Sequence, residues 1–225
     1  MRSVPEAAAL LAVVCLVAAG ATASAPAAAS GTGPALVQSP SRAARTDRTA
    51  AALRVTFVGD SISASLDYVA SARRLLSRGF RMHFDLQVCR RLATTSCSFQ
   101  GQTPATALQV VTSLGRSVGD VLIVNVGYNE GSYGYRDGMR RVIRAARAQG
   151  ARGVVWVTLR ETSDIYHSTN AVIRKEAKRW PMVRVADWEA YSRGKPWFRE
   201  DGLHVNSAGA MGLARLLRAN VLSAS

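Results

Sequence analysis

Apolar positions along this chain alternate between two rhythms. Short, nearly continuous apolar runs stand at "LRVTFVG" (53–59), "RMHFDLQV" (81–88), "DVLIVNVG" (120–127), "GVVWVTL" (153–159) and "MVRVADW" (182–188), and each predicts a β-strand. Between them the spacing turns helical near 63–78, 104–116, 134–149 and 168–179, with a last helix near 207–222. In the first of these, Ile62, Leu66, Val69, Ala72 and Leu76 fall on one face. The central apolar runs suit strands covered on both faces, and the intervening helices are long enough for crossovers, so the strands are expected to be parallel. The predicted fold is α/β, a three-layer α/β/α sandwich around a flavodoxin-like five-stranded parallel sheet. Ligands of such sheets gather beyond the carboxyl ends of the strands, which directs attention to the residues that follow each run.

Length and composition add a frame to that pattern. With 225 residues, 48% of them hydrophobic, the chain suits one domain and an additional segment. The first 23 residues read as a signal peptide: one Arg, an apolar stretch from Ala7 to Ala19, and a small-residue "ATA" site ending at Ala23. A membrane anchor is the rival, but a span needs about 20 apolar residues and this stretch fades into Ala, Thr, Ser and Gly. Lipid attachment at Cys15 fits less well, because that residue sits inside the apolar run. Residues 24–52, rich in Ala, Ser, Pro, Gly, Thr and Arg, read as a disordered linker, which leaves 53–225 as the folded domain. The chain is therefore expected to be secreted, and a monomer.

The formal net charge is +14 and is unchanged by loss of the leader, since Arg2 and Glu6 leave together. Nearly all the positive charge is Arg, with Lys only at 175, 178 and 195. Such a surface attracts polyanions, which for an exported chain means cell-wall polymers or anionic lipid surfaces. No DNA- or RNA-binding motif supports a nucleic-acid partner. Of three cysteines, Cys89 and Cys97 remain after processing, and an even pair in an exported chain reads as a disulfide. A metal site is the alternative, for which no neighbouring His or third Cys is present.

Candidate chemistry follows the strands in order. After the first come Gly59, Asp60 and Ser61, entering a helix whose free N–H groups favour developing negative charge. Taken alone, Ser61 or Ser63 is a helix cap. After the third, "NVGYNEGS" supplies Gly127 and Asn129, either a turn or an amide aimed at an oxyanion. Gly101, in "FQGQTPAT", either makes a turn or brings a backbone N–H to a ligand. After the last strand, "EDGLHVNSAGA" sets Asp201 three residues before His204, a spacing that lets the carboxylate reach Nδ1 and support the charge formed when Nε2 takes a proton. His83 lies within a strand and His167 in a loop without an adjacent acid, so both read as bystanders. Arg90, Arg91 and Arg160 read either as rim residues for an anionic group or as solvated surface. Trp188, Tyr191, Trp197 and Phe198 read either as cover for an acyl or sugar pocket or as packing beneath a long loop.

With these residues in place, the chain resembles the SGNH (GDSL-type) hydrolase superfamily of secreted esterases and acyl hydrolases, including exported actinobacterial members. The resemblance runs from about Leu53 to Leu222 and rests on "GDSI" at 59–62, Gly101, "GYNE" at 127–130 and "DGLH" at 201–204. It implies a Ser61 nucleophile, His204 as general base and Asp201 as its orienter. The oxyanion hole would comprise the Ser61 and Gly101 N–H groups and the Asn129 side chain. Asp60 would brace the first loop. Glu130 departs from the pattern, which has Asp after the Asn. The resemblance implies an acyl-enzyme mechanism with no metal or organic cofactor, acting on acylated small molecules, glycans or lipids. Alternatives are an O-acyltransferase with a sugar acceptor at the same site, and a non-catalytic cell-wall or glycan-binding protein of the same fold. A phosphate-binding flavodoxin-like module would leave the Asp201 and His204 pair unexplained.

Overall fold

The computed structural model of this protein describes residues 52–131 and 133–225. The expected signal peptide, and all of the expected linker before Ala52, lie outside the described residues. Five strands form one sheet: β1 (Leu53–Gly59), β2 (Phe80–Leu86), β3 (Val121–Asn125), β4 (Gly153–Val157) and β5 (Val183–Ala186). Every neighbouring pair is parallel and the order is β2-β1-β3-β4-β5. Continuous apolar character marks the middle of this order. Every residue of β3 and β4 is buried, whereas β2 and β5 at the edges are only partly so.

Among the described residues seven α-helices cover the sheet: α1 (Ser61–Tyr68), α2 (Ala70–Ser77), α3 (Ala107–Leu114), α4 (Tyr135–Ala148), α5 (Asp164–Ala177), α6 (Trp188–Ser192) and α7 (Ser207–Ala224). Two cores result, one on each face. Ile62, Leu66, Leu76, Leu213 and Leu217 of α1, α2 and α7 pack on Phe57, Ile123 and Val155. Val111, Met139, Ile143 and Ile173 of α3, α4 and α5 pack on Val58, Leu122 and Trp156. This is the expected three-layer sandwich. The strand order reverses between β1 and β3, so a crevice opens beyond their carboxyl ends, where Ser61 and Asn129 lie.

Departures from the expected elements have local causes. The first helix is broken at Val69, whose φ of −122° and ψ of 79° leave the helical region before α2 restarts behind it. α3 begins only after Pro104, where Thr106 and Gln109 exchange side-chain and backbone bonds of 3.1 and 2.8 Å in a capping box. The run predicted as strand over 182–188 ends at Ala186, because Asp187 accepts from Ala190 N at 3.2 Å and caps the short α6. That helix was not expected from the apolar alternation.

Candidate active site

The end of β1 shows why "GDS" reads as it does. A Cβ at Gly59 would stand 2.4 Å from the Ser63 side chain and 3.0 Å from Leu86, so only glycine fits where strand turns into helix. Asp60 is fully buried and caps α1. Its Oδ1 accepts from Ile62 N at 3.2 Å, and its Oδ2 accepts from Gly127 N and Tyr128 N at 3.2 and 3.3 Å. One carboxylate thus ties the loop after β1 to the loop after β3. Burial pushes its pKa up to about 6, against the opposing pull of those three N–H groups. With Asp60 capping the helix, Ser61 is its first residue, half-buried, at the end where unpaired N–H groups gather.

His204 arrives from the loop before α7. Its Nε2 lies 3.1 Å from Ser61 Oγ and its Nδ1 lies 2.7 Å from Asp201 Oδ2. Asp201 divides its oxygens between two tasks, since Oδ1 accepts from Leu203 N at 2.8 Å and His204 N at 2.9 Å while Oδ2 faces the imidazole. The Leu203 N–H first, then the His204 side chain and N–H, hold the Asp201 carboxyl down at about 2, so it stays ionised above that pH. An ionised partner at Nδ1 holds the proton there and leaves Nε2 to accept from the Ser61 hydroxyl. Asn206, which the sequence reading passed over, braces this loop. Its Nδ2 donates to Pro196 O at 3.0 Å and its Oδ1 caps α7 through Gly209 N at 3.0 Å.

Asn129 lines the same cavity as Ser61, Asp201 and His204, a space of about 460 Å³. Its Nδ2 donates to Arg90 O at 3.2 Å, and its own carbonyl accepts from Arg91 Nε at 2.8 Å. Both arginines belong to the loop closed by the Cys89–Cys97 disulfide. Glu130 reinforces the junction by accepting from Leu92 N, so the longer side chain in place of Asp reaches a partner on that loop. Burial raises its pKa, against the Leu92 N–H and Arg91.

Gly101 is placed differently. It sits, exposed and with φ of +76°, in the turn between Phe99 and Gln102, where a positive φ favours glycine. It does not line the cavity; from the connection after β2, Val88 and Phe99 do. Arg90 is no rim residue either. It is 1% exposed and donates to Asp85 Oδ1 at 2.6 Å, Ala105 O at 2.9 Å, the Asp85 carbonyl, and Gly59 O at 3.5 Å. Arg160 is turned aside, its guanidinium 3.5 Å over the Phe198 ring. The aromatic cluster packs beneath the His204 loop: Trp188 is fully buried and stacks on Trp197, centroids 5.9 Å apart, and Trp197 lies against Gly212 of α7. His167 does have an acid beside it, Glu161 at 2.8 Å, brought near by the start of α5 rather than by adjacency in sequence. His83 is exposed on the edge strand β2.

Among the described residues no cluster of His, Cys, Asp and Glu could hold a metal ion, and no helix is long and apolar enough to cross a membrane.

The fold is that of the SGNH hydrolases. A protein of Agrobacterium tumefaciens assigned as an arylesterase superposes with a TM-score of 0.57 at 15% identity, covering 77% of this chain and 100% of its own. A carbohydrate acetylesterase family member from Sinorhizobium meliloti gives 0.56 at 14% identity, over 76% and 98% of the two chains. A psychrotrophic esterase from Pseudoalteromonas sp., inhibited by monoethylphosphonate, gives 0.55 at 11% identity, over 76% and 95%. No protein-family model matches the sequence, and no curated protein sequence matches it.

Proposed function

We propose that this protein is an exported serine ester hydrolase working through Ser61, His204 and Asp201. The observation that carries this reading is the relay of 3.1 and 2.7 Å from Ser61 Oγ through His204 to Asp201, at the crevice where the sheet reverses order. In this reaction His204 Nε2 takes the Ser61 proton as Oγ forms a bond to the ester carbonyl carbon, and the carbonyl π electrons move to oxygen. The Ser61 N–H and the Asn129 Nδ2 stabilise that oxyanion. Collapse breaks the bond to the alkoxy oxygen, which leaves with the proton from His204. Water then repeats the sequence on the acyl-enzyme, releasing the acid and restoring Ser61. Asp60 and Glu130 position the two loops and touch no substrate.

Export is part of the same reading. It is supported by the leader-like first 23 residues and by the Cys89–Cys97 disulfide, which persists in oxidising compartments. The five arginines of α4, at 136, 140, 141, 144 and 147, belong to the layer opposite α1 and would carry association with anionic polymers without crowding the cavity.

The experiment is hydrolysis of a short-chain chromogenic ester by the domain and by Ser61→Ala. The expected loss in the variant is about 10⁶-fold in kcat, the scale on which removal of a nucleophile acts. Equal rates in the two proteins would end the reading.

A further inference from the structure

The geometry points to a second compartment of the same groove, shaped to hold a neutral sugar beside the one that bears the ester. This rests on the esterase reading and narrows its substrate to O-acylated oligo- or polysaccharides. Next to the cavity containing Ser61 lies another of about 360 Å³, and the two share Ala64, Tyr68, Val88 and Phe99 as a common wall. Tyr68, at the last residue of α1, is 80% exposed, and Phe99 is 49% exposed. Both are large apolar side chains left facing solvent at the boundary between the compartments.

Beyond that boundary the lining changes character. Gln87, Gln100, Gln102, Thr103 and Asp67 edge the second compartment. Carboxamides and a hydroxyl both donate and accept, which suits the paired donor and acceptor capacity of sugar hydroxyls. A fatty acyl chain lying there would strip water from these groups and return no hydrogen bonds. The aromatic faces would serve the flat C–H face of a sugar ring as they serve other apolar surfaces, with no demand on its charge. Charge gives the same answer. The one acidic or basic side chain lining the second compartment is Asp67, already paired with Arg73, so no Arg or Lys lines it for a polyanion despite the +14 of the whole chain.

Its geometry is held from outside the catalytic residues. Phe99 and Gln102 exchange backbone bonds of 2.9 and 3.0 Å, forming a small hairpin just after the disulfide that closes the preceding loop. Tyr68 is fixed by α1, the helix that begins at Ser61. One helix therefore carries the nucleophile at one end and one wall of the sugar compartment at the other.

The test compares vinyl acetate, whose leaving group is too small to reach the second compartment, with O-acetylated xylo-oligosaccharides. Both are assayed by acid release with wild type, Tyr68→Ala/Phe99→Ala and Gln102→Ala. Gln102→Ala, whose side chain edges the second compartment and not the cavity of Ser61, is expected to lose about tenfold in kcat/KM on the oligosaccharide through KM and to keep its rate on vinyl acetate within about twofold. The double variant, which also alters the shared wall, is expected to lose more on the oligosaccharide than on vinyl acetate. Equal losses on both substrates, or none on either, would overturn the compartment. A second arm titrates Ser61→Ala with unacetylated xylohexaose by calorimetry. Binding that the Tyr68→Ala/Phe99→Ala changes abolish is expected, and no binding would count against the compartment whatever the enzyme assays show. Inactivity of wild type on both esters would instead defeat the hydrolase reading, with the calorimetric arm still deciding the compartment.

Discussion

Asn129 is held by contacts that have nothing to do with substrate: Arg91 Nε on its carbonyl, its own Nδ2 on Arg90 O, and the neighbouring Glu130 on Leu92 N. In the proposed reaction these contacts would keep the amide in place before the charge it is to meet exists. Asn129→Ala is therefore expected to lower kcat by about 10² to 10³ with little change in KM, as measured by steady-state kinetics on a short ester. Asp60 gives a second prediction, on stability. Its native pKa of about 6 lies above the ordinary 3.8, so the folded state binds its proton more tightly than the unfolded state. The stability this contributes is present below about pH 4 and is lost as pH rises through about 6. Thermal unfolding of wild type and Asp60→Asn should accordingly diverge in favour of wild type as pH falls from 7 to 4.5. A difference in Tm that is flat over that range would remove the assignment. Asp201 has the opposite sign: its depressed pKa gives stability that is present above its ordinary value and lost as pH falls towards 2.

At the scale of elements, the loop closed by Cys89 and Cys97 links the stability of the fold to the site. Arg90, Arg91 and Leu92 all lie within it and all reach the loops after β1 or β3. The disulfide closes a short loop and should contribute about 2–3 kcal/mol by restricting the unfolded chain. Replacing both cysteines by Ser should lower the unfolding free energy by that amount in urea titrations. It should also reduce kcat, because the main-chain partners of Asn129 then lose their tether. An unchanged kcat would separate the loop from catalysis. Legibility from sequence also divides at this scale. The parallel sheet was readable because β3 and β4 are apolar without interruption, and the Asp201 and His204 pair because i and i+3 spacing across a turn is a local matter. That Gly101 makes a turn was one of its two readings, but its place outside the cavity was not readable, because it depends on how the hairpin at 99–102 folds out from the disulfide, which no local pattern encodes. Arg90 was misjudged for a related reason: an arginine is ordinarily exposed, and only the convergence of Gly59, Asp85 and Ala105 carbonyls in space makes a buried one acceptable. The pairing of His167 with Glu161 likewise required the start of α5.

For the whole molecule, the sheet order is the decisive fact. By reversing between β1 and β3 it places the ends of two neighbouring central strands side by side, and Asp60 bonds across the gap between them. The last helix then closes on β3, β4 and β5 and returns His204 to the same rim. Three stretches far apart in sequence thereby line the one cavity that holds the Ser61 hydroxyl. The measurement that tests this most directly is labelling of the domain with a fluorophosphonate, followed by peptide mass spectrometry. A single adduct on Ser61 is expected, absent from Ser61→Ala and formed far more slowly in His204→Ala. An adduct on another residue that persists in Ser61→Ala, or no adduct at all, would contradict it.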